Sequence, residues 1–169
     1  HWVAASRLAF AYRSSALKRR KALVLRARFH TPCAPAAELL ADYDRLLALR
    51  RSKHPDWRRE PCAGSVFRNP TPGAPGQPSA GWYLEQVGAP AWQVGGAGIF
   101  ARHANIIVKA DPACRAAHVL ELMTRMRQAV AERFGLLLEP EILCVGRFPN
   151  RPRWAQGPDA PLALEAPAE

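Results

Sequence analysis

Three separated strings of this 169-residue chain combine residue types that can hold an anionic substrate and move a proton. The first is Tyr12-Arg13-Ser14-Ser15-Ala16-Leu17-Lys18. A guanidinium beside a phenol at a turn can grip a carboxylate through two parallel hydrogen bonds, or can simply belong to a surface turn. The second runs Arg50-Arg51-Ser52-Lys53-His54-Pro55 and then Ala63-Gly64-Ser65-Val66-Phe67-Arg68-Asn69-Pro70. Gly64 lets the backbone approach a ligand closely, Ser65 carries a hydroxyl that both donates and accepts, and Asn69 offers an amide. Lys53 can present a point charge to a phosphate, although composition alone also permits an ordinary loop. The third string, Leu138-Glu139-Pro140-Glu141-Ile142, sets Glu141 at the head of an apolar run. A carboxylate there is either exposed at the end of a sheet or aimed into a cleft with a perturbed pKa.

The elements that must position these strings follow from hydrophobic periodicity. Alternation predicts a strand over residues 22–29, with Leu25, Ala27 and Phe29 on one face and Arg26 and Arg28 on the other. Leu39, Leu40, Tyr43, Leu46 and Leu47 form an apolar stripe that predicts a helix over 36–51, closed by Pro55. Residues 61–80 read as a loop, 81–87 as a short helix ending at Gly88, 94–98 as a flexible turn, and 104–108 as a short buried strand. Asp111-Pro112 is a helix start, and the helix runs to Phe134 with Gly135 as its stop. A last strand is predicted over 141–145, ended by Gly146. The expected architecture is α+β, a small sheet with two main helices packed on it. Residues 1–21 read as the end of a preceding region, 22–148 as the main domain and 149–169 as a Pro/Ala-rich disordered tail.

Composition narrows the function classes. Apolar residues make up 49 % and charged residues 22 %, ordinary for a globular domain, and no apolar run approaches the roughly 20 residues of a membrane-spanning helix. The net charge of +10 is concentrated early: residues 1–60 hold 14 Lys and Arg against 5 Asp and Glu. That surplus fits nucleic acid, an anionic surface or a phosphorylated substrate. The basic positions interrupt helix-like and strand-like segments without an aromatic platform, which argues against nucleic acid. Cys33, Cys62, Cys114 and Cys144 have no C-x-x-C spacing, so thiols are expected and no metal site.

Taken together, the strings carry a resemblance. Tyr12-Arg13-x-Ser15, Arg50-x-x-Lys53-x-Pro55, Ala63-Gly64-Ser65-Val66-Phe67-x-Asn69-Pro70, Ala80-Gly81-Trp82, Gly95-Gly96-Ala97, His103-Ala104-Asn105 and Leu138-Glu139-Pro140-Glu141 stand in one order. In that order the chain resembles the UDP-N-acetylenolpyruvoylglucosamine reductases (UDP-N-acetylmuramate dehydrogenases) over roughly residues 9–146. The resemblance implies the C-terminal substrate domain of a bacterial, cytoplasmic flavoenzyme of peptidoglycan precursor synthesis. In that family NADPH reduces FAD, which passes a hydride to the vinyl carbon of UDP-N-acetylglucosamine enolpyruvate. Negative charge then develops beside the carboxylate and must be stabilised before a proton is delivered. By resemblance, Ser65 is the proton donor, and Arg13 and Glu141 face the carboxylate and the enol. Lys53, Asn69 and Tyr12 are substrate-binding positions, and Arg50 stands near the cofactor.

The family pattern is not met everywhere. Ser14 stands where the family has an acid, and Leu17 where it has Phe. Only residues 30–35 connect the predicted strand and helix, which resembles the branch without a tyrosine-bearing lid and makes Tyr43 a core residue. The FAD-binding domain of the family lies before the Tyr-Arg string, and eleven residues precede Tyr12 here. The expectation is therefore a fragment without that domain, inactive alone. Two other readings stand beside it: a non-catalytic UDP-sugar-binding remnant, and a basic nucleic-acid-binding protein that rests on a pI of 10.3 alone.

Overall fold

A run of alternating residues becomes sheet only where a neighbouring strand takes up its backbone N–H and C=O groups. That requirement decides which apolar runs of this chain become strands. The computed structural model describes residues 2–19, 22–71, 73–148 and 152–156. Contacts divide the chain into two units, His1–Tyr43 and Asp44–Glu169. The division falls inside a helix.

In the second unit, β1 (Cys62–Ser65), β2 (Gln93–Val94), β3 (Ala97–Ile99) and β4 (Ile106–Lys109) form an antiparallel sheet in the order β1-β4-β3-β2. Gly95 and Gly96 make the two-residue turn between β2 and β3. Gly95 has φ +52°, and a Cβ there would come within 2.5 Å of the His118 ring, so glycine is required on two counts. One face of the sheet is covered by α2 (Ala80–Gln86) and α3 (Ala116–Phe134). Leu122, Met123, Met126 and Val130 lie on one side of α3 and are fully buried with Leu84, Val66, Phe67 and Leu138. Phe100, Ile106 and Val108 pack separately, with Cys62 beside them. The α+β class with a small sheet is thus observed.

The end of α3 is as expected: Gly135 takes φ +64° and its N–H bonds the Ala131 carbonyl. Its start is not. Asp111 does not cap the helix; its Oδ1 accepts from the Ala113 N–H at 2.7 Å, closing a local turn that delays the helix to Ala116. His118 Nδ1 then accepts the Arg115 N–H at 3.3 Å and the Gly96 N–H at 3.3 Å, tying the helix start to the β2–β3 turn.

Four further expectations are corrected. Residues 22–29 form no strand: Leu23, Leu25 and Phe29 are 82–84 % exposed, and no pairing partner occurs among the described residues. Residues 141–145 form no strand either; the pairing there is a single bridge, Phe67 with Pro140. The predicted helix forms as α1 (Ala36–Lys53), but none of its residues is buried and Tyr43 is 61 % exposed instead of core. Helical spacing fixes which side chains share a face and not what covers it. Within the predicted tail, Arg153–Gln156 forms a 3-10 turn with Ala155 buried, Trp154 against the core and the Arg127 guanidinium 5.0 Å from the Trp154 ring. Residues 149–151 and 157–169 of that tail lie outside the described residues.

Candidate active site

The geometry around Ser65 begins with a backbone irregularity. Cys62 pairs with Val108 and Ser65 with Ile106, so β1 carries one residue more than β4 over the same stretch. Gly64 absorbs it at φ +83°, a β-bulge with glycine in the left-handed region. Such bulges bend a strand and re-aim the next side chain, here the half-buried Ser65.

Beyond Ser65 the chain dives into the core. Val66 donates its N–H to the Asn105 carbonyl at 2.9 Å. The Asn105 side chain then holds Phe67 at both backbone groups, accepting its N–H at 2.9 Å and donating to its carbonyl at 2.8 Å. On the other side, Glu141 donates its N–H to the Val66 carbonyl at 2.8 Å, and Arg68 donates to the Glu139 carbonyl at 2.8 Å. Glu141 therefore stands across from the residue that follows Ser65. The Arg68 guanidinium also meets the Glu139 carboxylate at 3.7 Å.

Asn69 serves the fold as well as any ligand. Its Oδ1 accepts the Ala80 N–H at 3.0 Å, while Ser79 Oγ accepts from Trp82, so both tie down the first turn of α2. In that turn Gly81 faces His103 and Asn105: a methyl placed on it would stand 3.8 Å from His103 Cε1 and 4.0 Å from Asn105 Cβ. The His103 ring in turn lies 5.6 Å from the ring of His54, immediately after Lys53. Burial, then the neighbouring His103, Arg50 and Lys53, lowers the His54 pKa below its ordinary 6.5. Ser65, Glu141, Asn69 and the Lys53-His54 corner are thus linked through Asn105 and His103.

Tyr12 and Arg13 belong to the other unit and form a tight turn of their own. Ala11 and Ser14 exchange two backbone hydrogen bonds of 3.0 Å around them. Arg13 sits at φ +53°, which costs about 1 kcal/mol for a residue with a Cβ. Lys18 Nζ steadies the turn by donating to the Arg13 carbonyl at 2.7 Å, and the Arg13 guanidinium lies 5.4 Å from the Tyr12 ring. Arg50 is exposed on the last turn of α1.

His54, His103 and Asn105 were not assigned roles from sequence. Asn105 carried a signal: it is the polar member of the run Ala104-Asn105-Ile106-Ile107-Val108, and a buried amide needs partners. A pocket of about 250 Å³ lies nearby, walled by Cys62, Gly64, Val66, Val108, Cys114 and Ile142 among others. None of Ser65, Asn69, Glu141 or Lys53 lines it. The glycine string 94–98 is not a phosphate cradle, because the His118 ring fills the space at Gly95 and the Cys114 backbone that at Gly96.

Comparison with known proteins shows the family of the chain. The model of the family described as UDP-N-acetylenolpyruvoylglucosamine reductase, C-terminal domain, matches residues 55–145. The chain belongs to this family. It is 39 % identical to the UDP-N-acetylenolpyruvoylglucosamine reductase of Gloeobacter violaceus over 154 residues, covering 90 % of this chain and 48 % of that protein. With reductase 1 of Bacillus cereus the identity is 34 % over 153 residues, with 86 % and 46 % covered. A crystal structure of the Thermus caldophilus reductase superposes with a TM-score of 0.62 at 34 % identity, over 80 % of this chain and 46 % of that one. The chain spans about half the length of the curated relatives it matches. The matched family region contains Ser65, Asn69, His103, Asn105 and Glu141, and begins two residues after Lys53.

Proposed function

We propose that this chain supplies the substrate-handling part of an FAD- and NADPH-dependent oxidoreductase. Its substrate is UDP-N-acetylglucosamine enolpyruvate, reduced to UDP-N-acetylmuramate for peptidoglycan. The observation that carries the proposal is the Gly64 bulge, which presents Ser65 next to Val66, whose carbonyl takes the Glu141 N–H, inside the matched family region. A serine is a weak acid, so it serves as a proton donor only when its hydroxyl is fixed at the carbon that receives the proton. Backbone hydrogen bonds at both polar groups of Val66 hold the backbone that carries that hydroxyl.

The remaining roles follow from charge. Arg13 offers a fixed positive charge to the substrate carboxylate, and Glu141 hydrogen-bonds the enol. Lys53 meets the diphosphate as a point charge. Asn69, whose Oδ1 accepts the Ala80 N–H, is the amide given to the nucleotide sugar. Tyr12 stands with Arg13 on the substrate, and Arg50 near the cofactor.

Titration of the chain with UDP-N-acetylglucosamine by calorimetry tests the reading. Saturable binding that Lys53→Ala weakens at least about tenfold is expected, the loss of one charge-assisted contact of about 1.5–3 kcal/mol. Absence of binding, or binding indifferent to Lys53 and Asn69 together, would overturn it.

A further inference from the structure

The corner where α1 ends brings two imidazoles and two permanent cations together. The rings of His54 and His103 stand 5.6 Å apart at a tilt of 36°. Arg50 lies one helical turn before His54, whose N–H bonds the Arg50 carbonyl at 2.8 Å, and Lys53 is adjacent in the chain. Burial first, then His103 from the turn before β4 and Arg50 and Lys53 from α1, act against protonation of His54, and Asp56 follows two residues on in the chain. His103 Nδ1 accepts the Asn105 N–H at 3.3 Å, which fixes the ring to the segment that also anchors Phe67.

We propose that His54 and His103, with Lys53 and Arg50, form a proton-gated clasp for a phosphorylated ligand, in which His54 takes up a proton as the phosphate arrives. A metal cation is disfavoured at this corner by Arg50 and Lys53, whereas an anion gains from all four groups. Without an anion, burial and the neighbouring positive groups disfavour the imidazolium form of His54. A phosphate placed among them reverses the sign of the local field and stabilises imidazolium, so binding and protonation are linked. The proposal rests on the nucleotide-sugar reading given above and adds to it a titratable residue that the family resemblance did not supply.

The test uses UDP-N-acetylglucosamine, whose diphosphate is esterified at both ends and keeps its charge from pH 6 to 8.5, and sulfate as an anion of constant charge without a nucleotide. Calorimetry in two buffers of different ionisation enthalpy measures protons taken up on binding. The wild-type chain should bind the nucleotide sugar roughly five- to tenfold more tightly at pH 6.5 than at 8.5, with proton uptake near pH 7. His54→Gln should reduce that pH dependence to less than about twofold and remove most of the uptake. Should the nucleotide sugar bind with no pH dependence, or with uptake unchanged in His54→Gln, the clasp is wrong and the nucleotide reading survives. Sulfate binding with His54-dependent uptake, but nucleotide sugar no tighter than sulfate, would keep the clasp and sink the nucleotide reading. Failure of both ligands to bind overturns the clasp.

Discussion

Asn105 and Phe67 hold each other by a reciprocal pair of hydrogen bonds, Phe67 N–H to Oδ1 at 2.9 Å and Nδ2 to the Phe67 carbonyl at 2.8 Å. Both residues are buried, Asn105 at 3 % exposure and Phe67 at 1 %. The pair does for the turn after Ser65 what a neighbouring strand would otherwise do. Replacing Asn105 by Ala leaves a buried N–H and a buried C=O unmet, at about 1–3 kcal/mol each before relaxation. Asn105→Ala is therefore expected to lose about 2–4 kcal/mol in urea unfolding. Asn105→Asp, which keeps the acceptor but buries a charge in place of the donor, should fare no better. A loss under 0.5 kcal/mol, roughly the scatter of a surface substitution, would show that the clamp is dispensable.

Gly64 offers a separate check on how Ser65 is held. A Cβ there meets no atom within 4 Å, so the only obstacle to substitution is the backbone at φ +83°. Asn, which tolerates the left-handed region, should cost less than Ala, and Val should cost most, with Ala near 1–2 kcal/mol. Thermal unfolding of the three variants gives the order directly. Equal losses for Asn and Val would mean that the bulge is remade rather than strained.

The lowered pKa of His54 carries a sign for stability. A histidine harder to protonate in the fold than in the unfolded chain stabilises the fold fully above the unfolded value of about 6.5. That contribution is lost as pH falls from there through the lower folded pKa. Melting between pH 7.5 and 5.5 should thus show a decline that is smaller in His54→Gln than in the parent. An equal decline in both would remove His54 as its source.

Much of this architecture is legible in the residues, and the failures have a common cause. The α3 stripe of Leu122, Met123, Met126 and Val130 is core because sheet and helix spacing meet there, and Gly95, Gly135 and Gly64 mark real backbone demands. Residues 22–29 alternate as a strand should, yet pairing is a property of a neighbour and cannot be written into the alternation itself. The stripe of α1 fails in the same way: Leu39, Leu40, Tyr43 and Leu46 share a face that nothing covers among the described residues. Asp111 misled because the same carboxylate that can cap a helix can also close a turn two residues on. In the candidate site, the types and spacing of Ser65, Asn69 and Glu141 were readable. The Asn105 clamp and the His54–His103 pair were not, since each depends on residues distant in the chain.

The central claim is that Ser65, presented by the Gly64 bulge, hands a proton to the reduced substrate. It is tested most directly by stopped-flow kinetics of Ser65→Ala with this chain joined to a flavin-binding region of the family. Flavin reduction by NADPH should stay within about twofold of the parent, while reoxidation by UDP-N-acetylglucosamine enolpyruvate slows at least about 100-fold, the scale of a lost general acid. Equal slowing of both half-reactions, or none in either, would contradict the role given to Ser65.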